Sequence, residues 1–149
     1  MKRLLIVEDN QKKLEKIKEM LVIDFPEFEV EERMSYISAS KEIALNYDKY
    51  DLILLDMSMQ TYDITSEEAG GDAEPLAGKN ILRQMFLRDI PTKVIVVTMY
   101  QNFVDGTKIK QLDEELKKEY LDNYCGYISF SHTNSEWATK LKESISKII

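Results

Sequence analysis

The sequence predicts a doubly wound α/β domain with a five-stranded parallel sheet, and two observations carry that reading. Strand-like and helix-like segments alternate five times along the 149 residues. The central strand segments, Leu-Leu-Ile-Val at 4–7, Leu-Ile-Leu-Leu at 52–55 and Val-Ile-Val-Val at 94–97, are apolar at every position. Strands apolar on both faces belong inside a parallel sheet covered by helices on each side. In such folds the ligand site lies beyond the carboxyl ends of the strands, near the switch in strand order. Those ends carry Glu8, Asp9, Asp56 and Thr98.

Each element has its own signal. The first strand ends in Glu8-Asp9-Asn10, and Asn10 is a good cap for a helix whose apolar face holds Leu14, Ile17, Met20 and Leu21 until Pro26 stops it. Phe28 and Val30 alternate with acids as in a less buried second strand; Ile37, Ile43, Ala44 and Tyr47 then mark a helix from about Ser35. The third strand, within Asp-Leu-Ile-Leu-Leu-Asp-Met-Ser-Met at 51–59, closes on Asp56. A long aperiodic loop over about 60–77 follows, holding Asp63, Glu67, Glu68, Gly70-Gly71, Asp72 and Glu74. A helix through Ile81, Leu82, Met85 and Phe86 comes next, and Pro91 introduces a fourth strand from Lys93 to Thr98. After an irregular stretch from Tyr100 to Gly106, Ile109, Leu112, Leu116 and Tyr120 give a charged helix, expected as an insertion over 107–121. Cys125 to Phe130 reads as the fifth strand, and Trp137, Leu141, Ile145 and Ile148 as the apolar face of the last helix.

The totals narrow the function classes. A domain of this size spanning 1–149 buries a core without disulfides or a structural metal, and 44% apolar with 32% charged residues is a globular balance. A single cysteine, Cys125, excludes an internal disulfide, a multi-cysteine zinc site and a dithiol redox motif, and is expected as a small buried side chain. The net charge of −7 argues against direct nucleic-acid binding. No apolar run reaches the length of a membrane span and no signal peptide is legible, so a cytoplasmic location without membrane contact is expected. His132, the one histidine, is expected at the surface.

The carboxylates at the strand ends raise a physical problem. At about 4 Å and an effective dielectric near 20, each ionised pair costs roughly 4 kcal/mol. A divalent cation relieves that repulsion, and an all-oxygen donor set without histidine or cysteine points to Mg²⁺ or Mn²⁺. The turn after the first strand is acidic instead of glycine-rich, which disfavours a nucleotide or flavin. A phosphohydrolase with an aspartate nucleophile would need a second aspartate two residues on, where Ser58 stands.

Leu-Leu-Ile-Val-Glu-Asp-Asn at 4–10, the stretch at 51–59, Val-Ile-Val-Val-Thr at 94–98 and Gly126-Tyr127-Ile128 together resemble the receiver domain of two-component response regulators. The resemblance covers the whole chain in order and implies a flavodoxin-like sheet of order 2-1-3-4-5. It implies that Asp56 accepts a phosphoryl group from a histidine kinase, a phosphotransfer protein or a small acyl phosphate. Glu8, Asp9, Asp56 and the backbone carbonyl of Ser58 would hold the magnesium. Thr98 would bond a phosphoryl oxygen and Tyr127 would follow it as the switch aromatic. The same resemblance implies a phosphoprotein with a separate downstream effector, since the chain has no room for an output domain. It implies no enzyme activity beyond self-phosphorylation and dephosphorylation, and allows a homodimer.

One position departs from the pattern. The family places a lysine, usually followed by proline, at the end of strand five, where this chain has Phe130 and Ser131. Lys79, Lys93, Lys108 and Lys110 are candidate replacements by their place in the chain. The loss also leaves an alternative, a degenerate receiver acting as a phosphorylation-independent docking module. The acidic 60–77 loop beside the pocket is expected as a solvated flexible loop, with a lid or an extra metal ligand as the alternatives.

Overall fold

The computed structural model describes residues 2–61, 73–74, 76–103 and 106–149, with the side chains of residues 60, 73 and 74 left out. Five strands, β1 (Arg3–Val7), β2 (Glu29–Arg33), β3 (Leu52–Leu55), β6 (Lys93–Thr98) and β7 (Tyr124–Ser129), form one sheet of order β2-β1-β3-β6-β7. Every neighbouring pair is parallel, as the doubly apolar strands predict. Between β3 and β6, β4 (Met59–Gln60) pairs antiparallel with β5 (Ala73–Glu74), so a two-residue ribbon ties together the ends of the stretch read from sequence as a loop. Asp63, Glu67, Glu68 and Asp72 lie outside the described residues.

Period-two alternation divides the core into two layers. Leu5, Val7, Ile53, Leu55, Val94 and Val96 face α2 (Tyr36–Asn46), α3 (Ala77–Leu87) and α4 (Ile109–Glu119). Leu4, Ile6, Leu52, Leu54, Ile95 and Val97 face α1 (Gln11–Asp24) and α5 (Glu136–Ile148). The helix expected as an insertion is α4, the crossover between β6 and β7. The segment ahead of it closes on a bridge between Asn102 and Lys108, with Phe103 buried beneath.

Two apolar residues depart from expectation. Phe86 is 55% exposed, its ring meeting Tyr120 edge-on at 5.9 Å instead of entering the core. Cys125 is exposed, not buried. Its strand shifts register there: Tyr124 pairs with Val94 and Tyr127 with Val96, so Cys125 and Gly126 together oppose the single residue between. Gly126 takes a φ of +113°, which an L side chain resists, and the bulge turns the thiol outward at the sheet edge. His132 is exposed as expected, its ring edge-on to Phe130.

Candidate functional site

The site forms where β1, β3 and β6 end side by side. The chain leaving β1 stays in the sheet for one more residue, because Glu8 N donates to Arg33 O at 3.0 Å, and Asp56 N donates to Val7 O at 3.0 Å. Glu8 and Asp56 are thereby fixed at adjacent strand ends, 2% and 5% exposed. Asp9 is half-buried beside them. One carboxylate oxygen from each of Glu8, Asp9 and Asp56 lies within 4.8 Å of the others. The expected convergence of the three acids is therefore met.

Local hydrogen bonds hold each acid in place. Glu8 Oε2 accepts from Asn10 N at 3.1 Å, and Asn10 in turn caps α1 by accepting from Lys13 N at 3.0 Å. Asp56 Oδ1 accepts from Met57 N at 2.8 Å. Behind Asp56 the first turn of α3 presses in: Gly78 N donates to Met57 O at 2.9 Å, and a Cβ on Gly78 would lie 2.6 Å from the Asp56 carbonyl oxygen. Only glycine permits that approach.

A residue not singled out from sequence completes the cluster. Lys13, in the first turn of α1, is 1% exposed, and its ammonium points into the acids. Nζ lies 2.5 Å from Glu8 Oε1 and 3.5 Å from Asp56 Oδ1, and donates to Val97 O at 2.7 Å. Three acceptors meet the three donors of one ammonium. The ring of Phe130, 5.8 Å from Nζ to its centroid, walls the same side. The sequence does hold a signal: Lys13 lies four and seven residues before Ile17 and Met20, on the helix face that is otherwise apolar. The four lysines singled out from sequence are elsewhere. Lys79 pairs with Glu115 at 3.3 Å, Lys93 donates to Asp122 O at 2.6 Å, and Lys108 and Lys110 are exposed around the start of α4.

Burial governs the electrostatics. It pushes the Glu8 carboxyl up to about 8, with the Asp56 charge adding to the rise and Lys13 opposing it. Burial also raises Asp56, again against the pull of Lys13. The acids open into a cleft of about 140 Å³ whose lining includes Lys13, Ser58, Met99 and Tyr100. Thr98, fully buried at the end of β6, accepts from Tyr100 N at 3.1 Å through its hydroxyl, and its carbonyl accepts from Phe130 N at 2.9 Å. Tyr127 is half-buried and packs against the core layer beneath α2, α3 and α4.

The chain is 28% identical over 151 residues to the Detocs response regulatory protein DtcB of Enterobacter cloacae (strain JD6301), covering 98% of this chain and 99% of that one. It is 30% identical over 145 residues to the uncharacterized protein y4jR of Sinorhizobium fredii (strain NBRC 101917 / NGR234), covering 94% of each. Among solved structures, a response regulator receiver domain protein from Clostridium thermocellum superposes with a TM-score of 0.68 at 21% identity, over 100% of this chain and 94% of that one. The fold is that of response regulator receiver domains. A second receiver fold, the response regulator protein TrrA of Thermotoga maritima in complex with Mg²⁺-BeF, matches over the full length of both chains at a TM-score of 0.62 and 20% identity. No family model matches the sequence. In this chain the last sheet strand is followed by Phe130, and the cation beside the acids comes from α1. Among the described residues, no helix is long and apolar enough to cross a membrane.

Proposed function

We propose that this receiver domain accepts a phosphoryl group on Asp56 in a reaction that uses Mg²⁺ or Mn²⁺, and that a separate protein reads the change. The observation that carries the reading is the convergence of Glu8, Asp9 and Asp56 within 4.8 Å at the mouth of a cleft. The donor set fits the ion: three ligand oxygens around Mg²⁺ stand at most about 4.2 Å apart, so the acids need only draw in slightly. Glu8, Asp9 and Asp56, with the carbonyl of Ser58, would hold it. When bound, the cation offsets charge on the transferring phosphoryl group.

The rest is the work of the chain. An Asp56 carboxylate oxygen attacks phosphorus in line with the leaving group. The new O–P bond makes an acyl phosphate as the P–N bond of a phosphohistidine, or the P–O bond of a small acyl phosphate, breaks and the leaving group keeps the electron pair. The Met57 N–H orients the nucleophile by holding Oδ1. Gly78 gives the loop behind it room to sit that close. The hydroxyl of Thr98 turns from Tyr100 N toward a phosphoryl oxygen, and Tyr127 moves inward behind it, so the signal leaves through the β6–α4–β7 surface. A histidine kinase or phosphotransfer protein is the natural donor and a protein effector the natural reader.

Incubation with acetyl phosphate and Mg²⁺, followed by intact mass measurement, tests the reading. A gain of one phosphoryl group that disappears with EDTA and in Asp56→Asn is expected. No gain with acetyl phosphate or a phosphorylated histidine-containing donor overturns it and leaves the docking-module reading.

A further inference from the structure

We propose that Lys13 is the cationic group that contacts the phosphoryl group on Asp56, delivered from the first turn of α1 instead of from the end of the last sheet strand; this rests on the function proposed above. The ammonium is fully buried and bridges three strand ends at once, through Glu8 after β1, Asp56 after β3 and Val97 O on β6. A group that merely neutralised Glu8 would need one of those contacts. The Val97 carbonyl instead anchors Nζ on the Asp56 side, at 3.5 Å from Oδ1, longer than a good charge-assisted hydrogen bond and open to improvement.

A phosphoryl group on Asp56 adds negative charge within reach of that third N–H, so Lys13 keeps Val97 O and turns from Glu8 to a phosphoryl oxygen. Glu8 is thereby left free for the cation. Phe130 makes the arrangement possible: a lysine there would bring a second ammonium into the same space, whereas its ring offers Lys13 an apolar and mildly attractive wall. The face of α1 that carries Lys13 is otherwise Leu14, Ile17, Met20 and Leu21, where a lysine is costly unless its head is fully paired.

The test follows the rate constant for labelling at saturating acetyl phosphate and Mg²⁺. Lys13→Met is expected to label about 10- to 100-fold more slowly, in proportion to one charge-assisted hydrogen bond. Lys13→Met combined with Phe130→Lys is expected to recover most of that loss by returning an ammonium from the other side, a rescue that repair of packing alone would not give. Because Lys13→Met lies in the core, a second measurement uses the wild-type chain: the side-chain ¹⁵Nζ resonance of Lys13 shifts when Mg²⁺ and beryllofluoride are added together. Wild-type labelling with an unslowed Lys13→Met, a folded double variant that labels no faster than the single one, or an unmoved Nζ resonance overturns the inference while leaving Asp56 as acceptor. A wild-type chain that takes no label from any donor overturns the parent reading and this one with it.

Discussion

Two carboxylates, one at the carboxyl end of β1 and one on α2, are held in opposite ways. Glu42, on α2 beyond the edge strand, accepts from the Tyr50 hydroxyl at 2.6 Å and from Asn46 Nδ2 at 2.5 Å, with Arg33 at 3.3 Å. The Tyr50 hydrogen bond leads in holding its carboxyl below the ordinary value, so there the charged form is the one the fold prefers. Glu8 sits among other acids with its charge poorly solvated, and burial pushes it up to about 8. The first arrangement stabilises the native chain; in the second, burial and the neighbouring acid disfavour the charged form, which Lys13, a metal cation or a proton relieves. That contrast separates a structural network from a site, although both pair a glutamate with a cationic side chain.

The largest effect that could break the contrast is at the Glu8–Lys13 pair. In metal-free buffer, Lys13→Met should cost about 3 kcal/mol in urea unfolding, because it strips a buried carboxylate of its partner. Adding Glu8→Gln should return more than half of that, since the repulsion goes with the charge. If the double variant is no more stable than the single one, the site stores no repulsion and the contrast fails.

Gly78→Ala comes next, at about 1–3 kcal/mol, because its methyl meets the backbone oxygen of Asp56 and must push α3 away. Labelling of Asp56 should slow as well, since the displaced loop carries the nucleophile. A variant with wild-type stability and labelling would show that α3 does not hold the Asp56 loop.

The smallest effect sharpens the comparison from the structural side. A carboxyl lowered by folding contributes stability that is present above its unfolded value near 4.5 and is lost as pH falls through its folded value. Glu42→Gln should therefore cost about 1 kcal/mol at pH 7 and flatten the acid limb of the stability curve below about pH 4.5. It should leave acetyl phosphate labelling unchanged; slowed labelling would mean that the network on α2 reaches the site.

The fold was legible because burial on both faces leaves a direct mark: 4–7, 52–55 and 94–97 are apolar at each position, and parallel order with helices on both sides follows from that alone. The acids were legible for a related reason, since charges closing apolar strands have few uses. Cys125 was misread because small residues occur on either side of an edge strand, and only the bulge at Gly126 decides which way its thiol turns.

Lys13 shows where the sequence stops. Residue types and spacing determined that three carboxylates end neighbouring strands, that Phe130 closes the segment read as the last strand, and that one lysine occupies an apolar helix stripe. Which of the lysines turns inward was decided by tertiary structure. A long side chain on a helix crossing the sheet ends can reach acceptors on strands tens of residues away, here Asp56 and Val97, and no local periodicity records that meeting.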